Sequence, residues 1–228
     1  MTALPVSLRC APGAVLFDLD GTLVDSAPDL AGAGNEMRVQ RGLVPLPFER
    51  FRPLAGSGAR GMVAVAMQVT PDDESFLGLR DEFLELYAAR LTRESRVFPD
   101  MWRVLAALDA QPVRWGVVTN KASRFTMPVL QGLGLATRAA VVISGDTTAH
   151  AKPHPAPLLE AARRIGIPPE SCLYVGDDLR DVQAGRAAGM RTVAVAWGYL
   201  GVGEPIAAWN ADAVIDRPHE LLQLLAMA

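Results

Sequence analysis

Cysteine is scarce in this chain: only Cys10 and Cys172 occur in 228 residues. Two cysteines do not make a disulfide framework, and Cys172 lies in an apolar run that reads as a buried strand, so a reducing compartment is expected. Long apolar runs are missing as well. The first residues carry a single Arg9 before an apolar stretch of about four residues, short of a signal-peptide core or of a roughly 20-residue membrane span. The expectation is a cytoplasmic protein without a membrane partner. Basic charge is not in excess, with 22 Lys plus Arg against 25 Asp plus Glu and a net charge of −3. No stretch interleaves basic and aromatic residues, which argues against nucleic acid as a partner. Internal repeats and low-complexity segments are also absent.

What is present is a half-apolar chain with 21% charged residues, enough to bury the core of one domain or of one domain carrying an insertion. Short apolar runs, each closed by polar or glycine residues, recur at 14–17, 114–118, 141–143, 172–175, 192–196 and 213–215. Such runs predict strands buried on both faces. Helix-length segments at 101–110, 156–165 and 178–188 lie between them, with leucines such as Leu105 and Leu108 at helical spacing. The alternation predicts an α/β fold with a doubly wound, Rossmann-like parallel sheet. The interval 24–96 breaks it: no convincing strand, but helical stretches at 29–41, 59–69 and 74–93. This predicts a helical cap inserted into a core made of 1–23 and 97–228. Loop punctuation marks its edges, Ser26-Ala27-Pro28 at entry and Phe98-Pro99-Asp100 at return.

The first strand delivers Asp18, Asp20 and Gly21 at its C-terminal end, where an open parallel sheet places its ligand site. Two carboxylates about 5 Å apart repel by roughly 3 kcal/mol at an effective dielectric of 20, so the pair asks for a cation or a raised pKa. Taken alone, Asp-x-Asp-Gly is more often a strand end and a turn. Three further segments change the balance. The 114–118 strand is followed by Thr119 and Asn120, a hydroxyl and an amide at the same sheet edge, although such a pair also caps helices. Lys152 precedes Pro153, which biases it towards an extended conformation, although a single Lys is ordinarily solvated. The 172–175 strand runs through Gly176 into Asp177, Asp178 and Asp181. Helix capping accounts for Asp178 or Asp181 and leaves Asp177 as an additional acid.

In this order the four segments resemble the haloacid dehalogenase superfamily, with Asp18-Leu19-Asp20-Gly21-Thr22 as its first motif, Thr119 second, Lys152 third and Asp177 fourth. The resemblance spans essentially the whole chain, cap included, and lies with the phosphoglycolate phosphatase group. It implies a phosphatase in which Asp18 is the nucleophile and Asp20 the proton donor and later the base that activates water. It further implies Mg²⁺ held by Asp18, the backbone carbonyl of Asp20 and Asp177, phosphate oxygens held by Thr119, the Asn120 backbone and Lys152, and support from Asp178 and Asp181. An Asp at position 20 resembles phosphatases and phosphomutases rather than dehalogenases or transport ATPases.

The cap loop Gly56-Ser57-Gly58-Ala59-Arg60 is the candidate substrate contact, with Gly58 allowing close approach and Arg60 meeting a substrate carboxylate. Taken alone, Arg60 reads more often as a helix-surface arginine. Stretches such as Gly58-Ala59-Arg60, Trp115 to Lys121 and Trp209-Asn210-Ala211-Asp212 resemble bacterial N-acetylmuramic acid 6-phosphate phosphatases of cell-wall recycling. The implied substrate is thus a small phosphorylated metabolite carrying a carboxylate, with phosphoglycolate as the alternative, and the implied assembly is a monomer or weak dimer. Asp100 departs from the pattern, standing where such sequences often have glycine. A phosphomutase and a non-enzymatic phosphoaspartate receiver remain as readings of other classes.

Overall fold

The computed structural model describes residues 12–227, so Cys10 lies outside the described residues. Six strands form one parallel sheet: β1 (Ala14–Phe17), β4 (Arg114–Val118), β5 (Val142–Ile143), β6 (Cys172–Gly176), β7 (Arg191–Val195) and β8 (Ala213–Ile215). Their spatial order is β5-β4-β1-β6-β7-β8. In chain order of these six strands this is 3-2-1-4-5-6, the dinucleotide-binding type of doubly wound sheet, whose crevice lies where the order reverses. That reversal falls at β1, which pairs with β4 on one side and β6 on the other.

Side-chain alternation along β1 explains why helices cover both faces. Val15 and Phe17 point into a cluster with Leu105 of α5 (Met101–Asp109), Val129 of α6 (Ser123–Gly132) and Leu221 of α9 (Pro218–Leu224). Ala14 and Leu16 point the other way, against Leu158 and Ala161 of α7 (Ala156–Ile165) and Ala184 of α8 (Leu179–Ala187). Both sets are completely buried, and a buried Leu, Val or Phe contributes about 1.5–3 kcal/mol. A strand that buries both faces cannot alternate in polarity, so its sequence reads as one apolar run.

Between β1 and α5 the chain leaves the sheet. Helices α1 (Ala27–Gln40), α2 (Phe48–Phe51), α3 (Gly58–Met67) and α4 (Phe76–Ala88) pack on one another. They bury a cluster of their own that includes Met37, Phe51, Met62 and Phe83, joined from the sheet side by Phe125 and Tyr199. The expectation of no strand in 24–96 is corrected: β2 (Val24–Asp25) and β3 (Arg96–Val97) pair antiparallel where this unit leaves and rejoins the core. Two residues are too few to show a period of two. Beside this ladder the fully buried Asp29 of α1 accepts bonds from the backbone N–H groups of Glu94 and Ser95 and from the Ser95 hydroxyl, tying entry to return. Asp100 takes a left-handed backbone with φ 66°, a conformation that glycine adopts without cost. No helix of the described residues is long and apolar enough to cross a membrane.

Candidate active site

Asp18 is the first residue beyond β1, and its backbone N–H donates to Val175 O at 2.9 Å, so it stands level with the end of the neighbouring β6. Gly21 then turns the chain with φ 90°, and a Cβ on Gly21 would run into the Asp177 carboxylate. Gly198 closes on Asp177 in the same way. The first and fourth motifs therefore meet by backbone approach. Both Asp177 oxygens accept a hydrogen bond, Oδ1 from Thr22 Oγ1 and Oδ2 from the Tyr199 N–H, each at 2.8 Å. The Tyr199 hydroxyl reaches the helical unit, accepting from the Ser26 and Ala27 N–H groups and lying 3.0 Å from Asp25 Oδ1.

Lys152 is brought to the same point by a clamp of two reciprocal bonds. Its N–H donates to Asn120 Oδ1 and its carbonyl accepts from Asn120 Nδ2, both at 2.9 Å. The side amide of Asn120 is thereby spent on positioning Lys152. The Lys152 ammonium, with its side chain 3% exposed, stands 2.9 Å from Asp18 Oδ1 and 2.7 Å from Asp181 Oδ1. It also donates to Val118 O and Tyr174 Oη. Burial pulls Lys152 down, but the facing carboxylates of Asp18 and Asp181 outweigh it and hold it above its ordinary value. Asp178 and Asp181 form a capping box at the start of α8, and Arg180 holds Asp178 below the usual carboxylate range against the opposing effect of burial.

Lys121, to which sequence reasoning gave no role, pairs with both oxygens of Asp20 at 2.9 and 3.0 Å and lies over the Tyr87 ring of α4. Ser26 Oγ donates to Asp20 as well. Burial pulls Lys121 down, yet the Asp20 charge outweighs it and raises it. Thr119 is buried at the end of β4, and its Oγ1 accepts from the Lys121 N–H at 3.2 Å.

These groups border a cavity of about 290 Å³ under the helical unit. Its floor is Asp18, Asp20, Thr119, Lys152 and Asp177, and its roof includes Leu30, Gly58, Phe83, Leu84 and Tyr87. Arg60 does not itself line this cavity. Arg60 borders a second depression, with Leu54, Gly61, Ala64 and Pro71, which shares Ser57 and Arg180 with the main cavity, while Gly58 and Ala59 line the main cavity itself. Helix α3 begins at Gly58 and turns by about 100° per residue, so two positions along it the side chain faces elsewhere.

Carboxylate oxygens of Asp18, Asp177 and Asp181 lie within 4.8 Å of one another. Asp18 Oδ1 is buried and, although close to Lys152, receives no aligned hydrogen bond. Burial pushes Asp18 up to about 7, with Lys152 opposing, and pushes Asp177 well above its ordinary value. A hard divalent cation such as Mg²⁺ fits this set of oxygens, because it supplies the charge that one lysine leaves short. Asp181 is already engaged by Lys152, Tyr174 and the Asp178 N–H, and its part is to fix the lysine.

A consequence for stability follows. With Asp18 raised from 3.8 to about 7, the folded chain binds more protons than the unfolded chain between about pH 4 and 7, so its metal-free stability falls as pH rises through that window. The Tm of EDTA-treated protein is expected to fall by about 5 °C between about pH 5 and 7.5. Mg²⁺ should raise Tm more at the higher pH, since binding there displaces fewer protons. Thermal melts with and without Mg²⁺ check both, and a Mg²⁺ effect independent of pH would count against Asp18 as a ligand.

The model of haloacid dehalogenase-like hydrolases matches residues 15–195, from the β1 strand to the end of β7. The chain belongs to this family. It is 43% identical over 215 residues to an N-acetylmuramic acid 6-phosphate phosphatase of Pseudomonas aeruginosa, covering 94% of this chain and 95% of the relative. It is 46% identical over 211 residues to a phosphoglycolate phosphatase of Xanthomonas campestris pv. campestris, covering 92% and 95%. A crystal structure from Haemophilus somnus, described as a predicted phosphoglycolate phosphatase, superposes with a TM-score of 0.83 at 29% identity, covering 95% of this chain and 99% of that one. With family, fold and such relatives in agreement, the chain is a phosphoric monoester hydrolase.

Proposed function

We propose that this phosphatase acts on small phosphorylated metabolites bearing a carboxylate, N-acetylmuramic acid 6-phosphate foremost, through an aspartyl phosphate on Asp18, with residues 24–96 serving as the cap. The supporting observation is the two-sided cavity, an acidic and cationic floor beneath an apolar roof. On the floor an Asp18 oxygen attacks phosphorus as the bond to the alcohol breaks, and Asp20 passes a proton to the leaving oxygen. Water then attacks the aspartyl phosphate with Asp20 taking its proton, which releases inorganic phosphate and restores Asp18. Lys152 offsets charge on the transferring phosphoryl group while Thr119 and the Asn120 backbone hold its oxygens. Asp18, Asp177 and the Asp20 carbonyl would hold Mg²⁺, which supplies electrostatic stabilisation to that group when bound.

The roof favours the sugar ester. The half-buried Leu84 and Ala59 offer apolar surface that can lie on a sugar face and N-acetyl group, whereas the two carbons of phosphoglycolate have little to set against it. Phosphoglycolate is the second reading, favoured by the 46% identity to the Xanthomonas relative. Phosphate release from both esters and from hexose phosphates decides between them. The expected outcome is a kcat/KM for N-acetylmuramic acid 6-phosphate at least about tenfold above that for phosphoglycolate. The reverse order would assign phosphoglycolate, and no release from any ester would end the proposal.

A further inference from the structure

Four cationic side chains border the cavity among the described residues: Lys121, Arg124, Lys152 and Arg180. Three already face acids. Lys152 holds Asp18 and Asp181, Lys121 holds Asp20, and Arg180 pairs with Asp178 while donating to Gly56 O. Arg124 has no carboxylate within ion-pair distance among the described residues, and its guanidinium lies 4.6 Å from the centroid of the neighbouring Phe125 ring. Stacking of this kind orients the planar fork while leaving its donors free.

Its side chain is exposed at the edge of the cavity, and its place in the chain is mildly unfavourable without an anion. Arg124 is the second residue of α6, and the first turn of that helix has no acid. A cation there opposes the positive end of the helix dipole. The nearby Asp146 carboxylate is taken up by the Ser123 N–H at 2.9 Å and the Ser123 hydroxyl at 2.7 Å. Positions that break a local rule without local compensation are where functional or strained sites are expected. The roof offers no countercharge either, its side chains there being Leu30, Ala55, Phe83, Leu84 and Tyr87.

We propose that Arg124 binds the substrate carboxylate and selects carboxylated phosphate esters, the role that the sequence had suggested for Arg60. This rests on the phosphatase reading above. Thr119 directly follows β4 and Arg124 is the second residue of α6, so a single short stretch of backbone would gauge the distance between the phosphate and carboxylate ends of a substrate.

The test uses two ester pairs that differ in the carboxylate: N-acetylmuramic acid 6-phosphate against N-acetylglucosamine 6-phosphate, and phosphoglycolate against 2-hydroxyethyl phosphate. Wild type, Arg124→Gln, Arg124→Lys and Arg60→Gln are compared by kcat and KM. In Arg124→Gln the preference for the carboxylated member, as a ratio of kcat/KM values, should fall at least about tenfold through KM. Arg124→Lys should recover part of it, since lysine restores charge but not the bidentate fork. Arg60→Gln should leave the ratio within about twofold of wild type, because the side chain borders the adjoining depression rather than the cavity. A merely structural role for Arg124 would lower both esters together along with Tm. A ratio in Arg124→Gln close to that of wild type, or such a parallel loss, overturns the inference. Absence of phosphate release by wild type from all four esters would instead remove the proposed function on which it rests.

Discussion

Asp18→Asn should abolish turnover while leaving a folded protein that, without metal, melts at a higher temperature than wild type. The amide is nearly isosteric but is no nucleophile towards phosphorus, and hydrolysis of phosphate monoesters is among the slowest uncatalysed reactions, so nothing replaces the covalent step. A fall in kcat of at least about 10⁴-fold is expected. The stability gain has a separate origin. The Asp18 charge is one of the causes that push Asp177 up, and Asp18 itself stands near neutrality at about 7 because it is buried. Neutralising it removes a repulsion that metal-free wild type must bear. Phosphate release and a thermal melt in EDTA read the two effects. Substantial turnover in Asp18→Asn would end the covalent proposal, and an unchanged metal-free Tm would place the repulsion elsewhere.

Lys152→Ala should damage activity and stability together. The ammonium is buried between Asp18 and Asp181 at 2.9 and 2.7 Å, and removing one member of a buried ion pair leaves uncompensated charge that costs about 3–5 kcal/mol. Loss of its charge at the phosphoryl group should lower kcat by roughly 10²–10³-fold. Lys152→Met keeps most of the volume and separates the causes: if stability were mainly packing, urea melts of Met and wild type would coincide. The electrostatic account expects both variants to lose stability by similar amounts. Excess Mg²⁺ should restore part of that stability because it supplies positive charge to the same carboxylates, and a variant with full activity would remove Lys152 from the phosphate site.

The sheet was the most legible part of this chain. The runs at 14–17, 114–118 and 213–215 and the helical segment 156–165 have the same bounds in the structure, because two-face burial and helical spacing both leave a direct mark on composition. The expected helix at 178–188 begins one residue later, with Asp178 spending its side chain as the cap. Helix α6 carries Pro128 in its interior, a signal that argues against a helix until tertiary packing of Phe125, Val129 and Leu130 outweighs it. The β2/β3 ladder is too short for periodicity to reveal.

Among the site residues, Asp18, Asp20, Thr119, Lys152 and Asp177 were identifiable as strand-end polar groups, and the structure gathers them at one cavity. Lys121 was overlooked because a lysine in a polar loop reads as solvated. Its partner Asp20 lies 101 positions away in the chain, a distance over which no local pattern speaks. Arg60 borders the adjoining depression instead, since proximity in sequence to the glycine loop does not fix helical phase.

The two bare backbones that flank Asp177 set where this enzyme can vary. At Gly21 and at Gly198 even a single methyl group would enter the space of the Asp177 side chain, so neither position has a neutral neighbour in sequence space, and neither can be relieved by changing the other. The place of Asp177 at the floor is thus held by backbone that leaves no room for a side chain. The roof is built from side chains, Leu30, Leu84 and Tyr87 among them, and each can be exchanged without touching that backbone. New substrates are accordingly within reach of gradual change in this chain, whereas a different chemistry would require several simultaneous replacements.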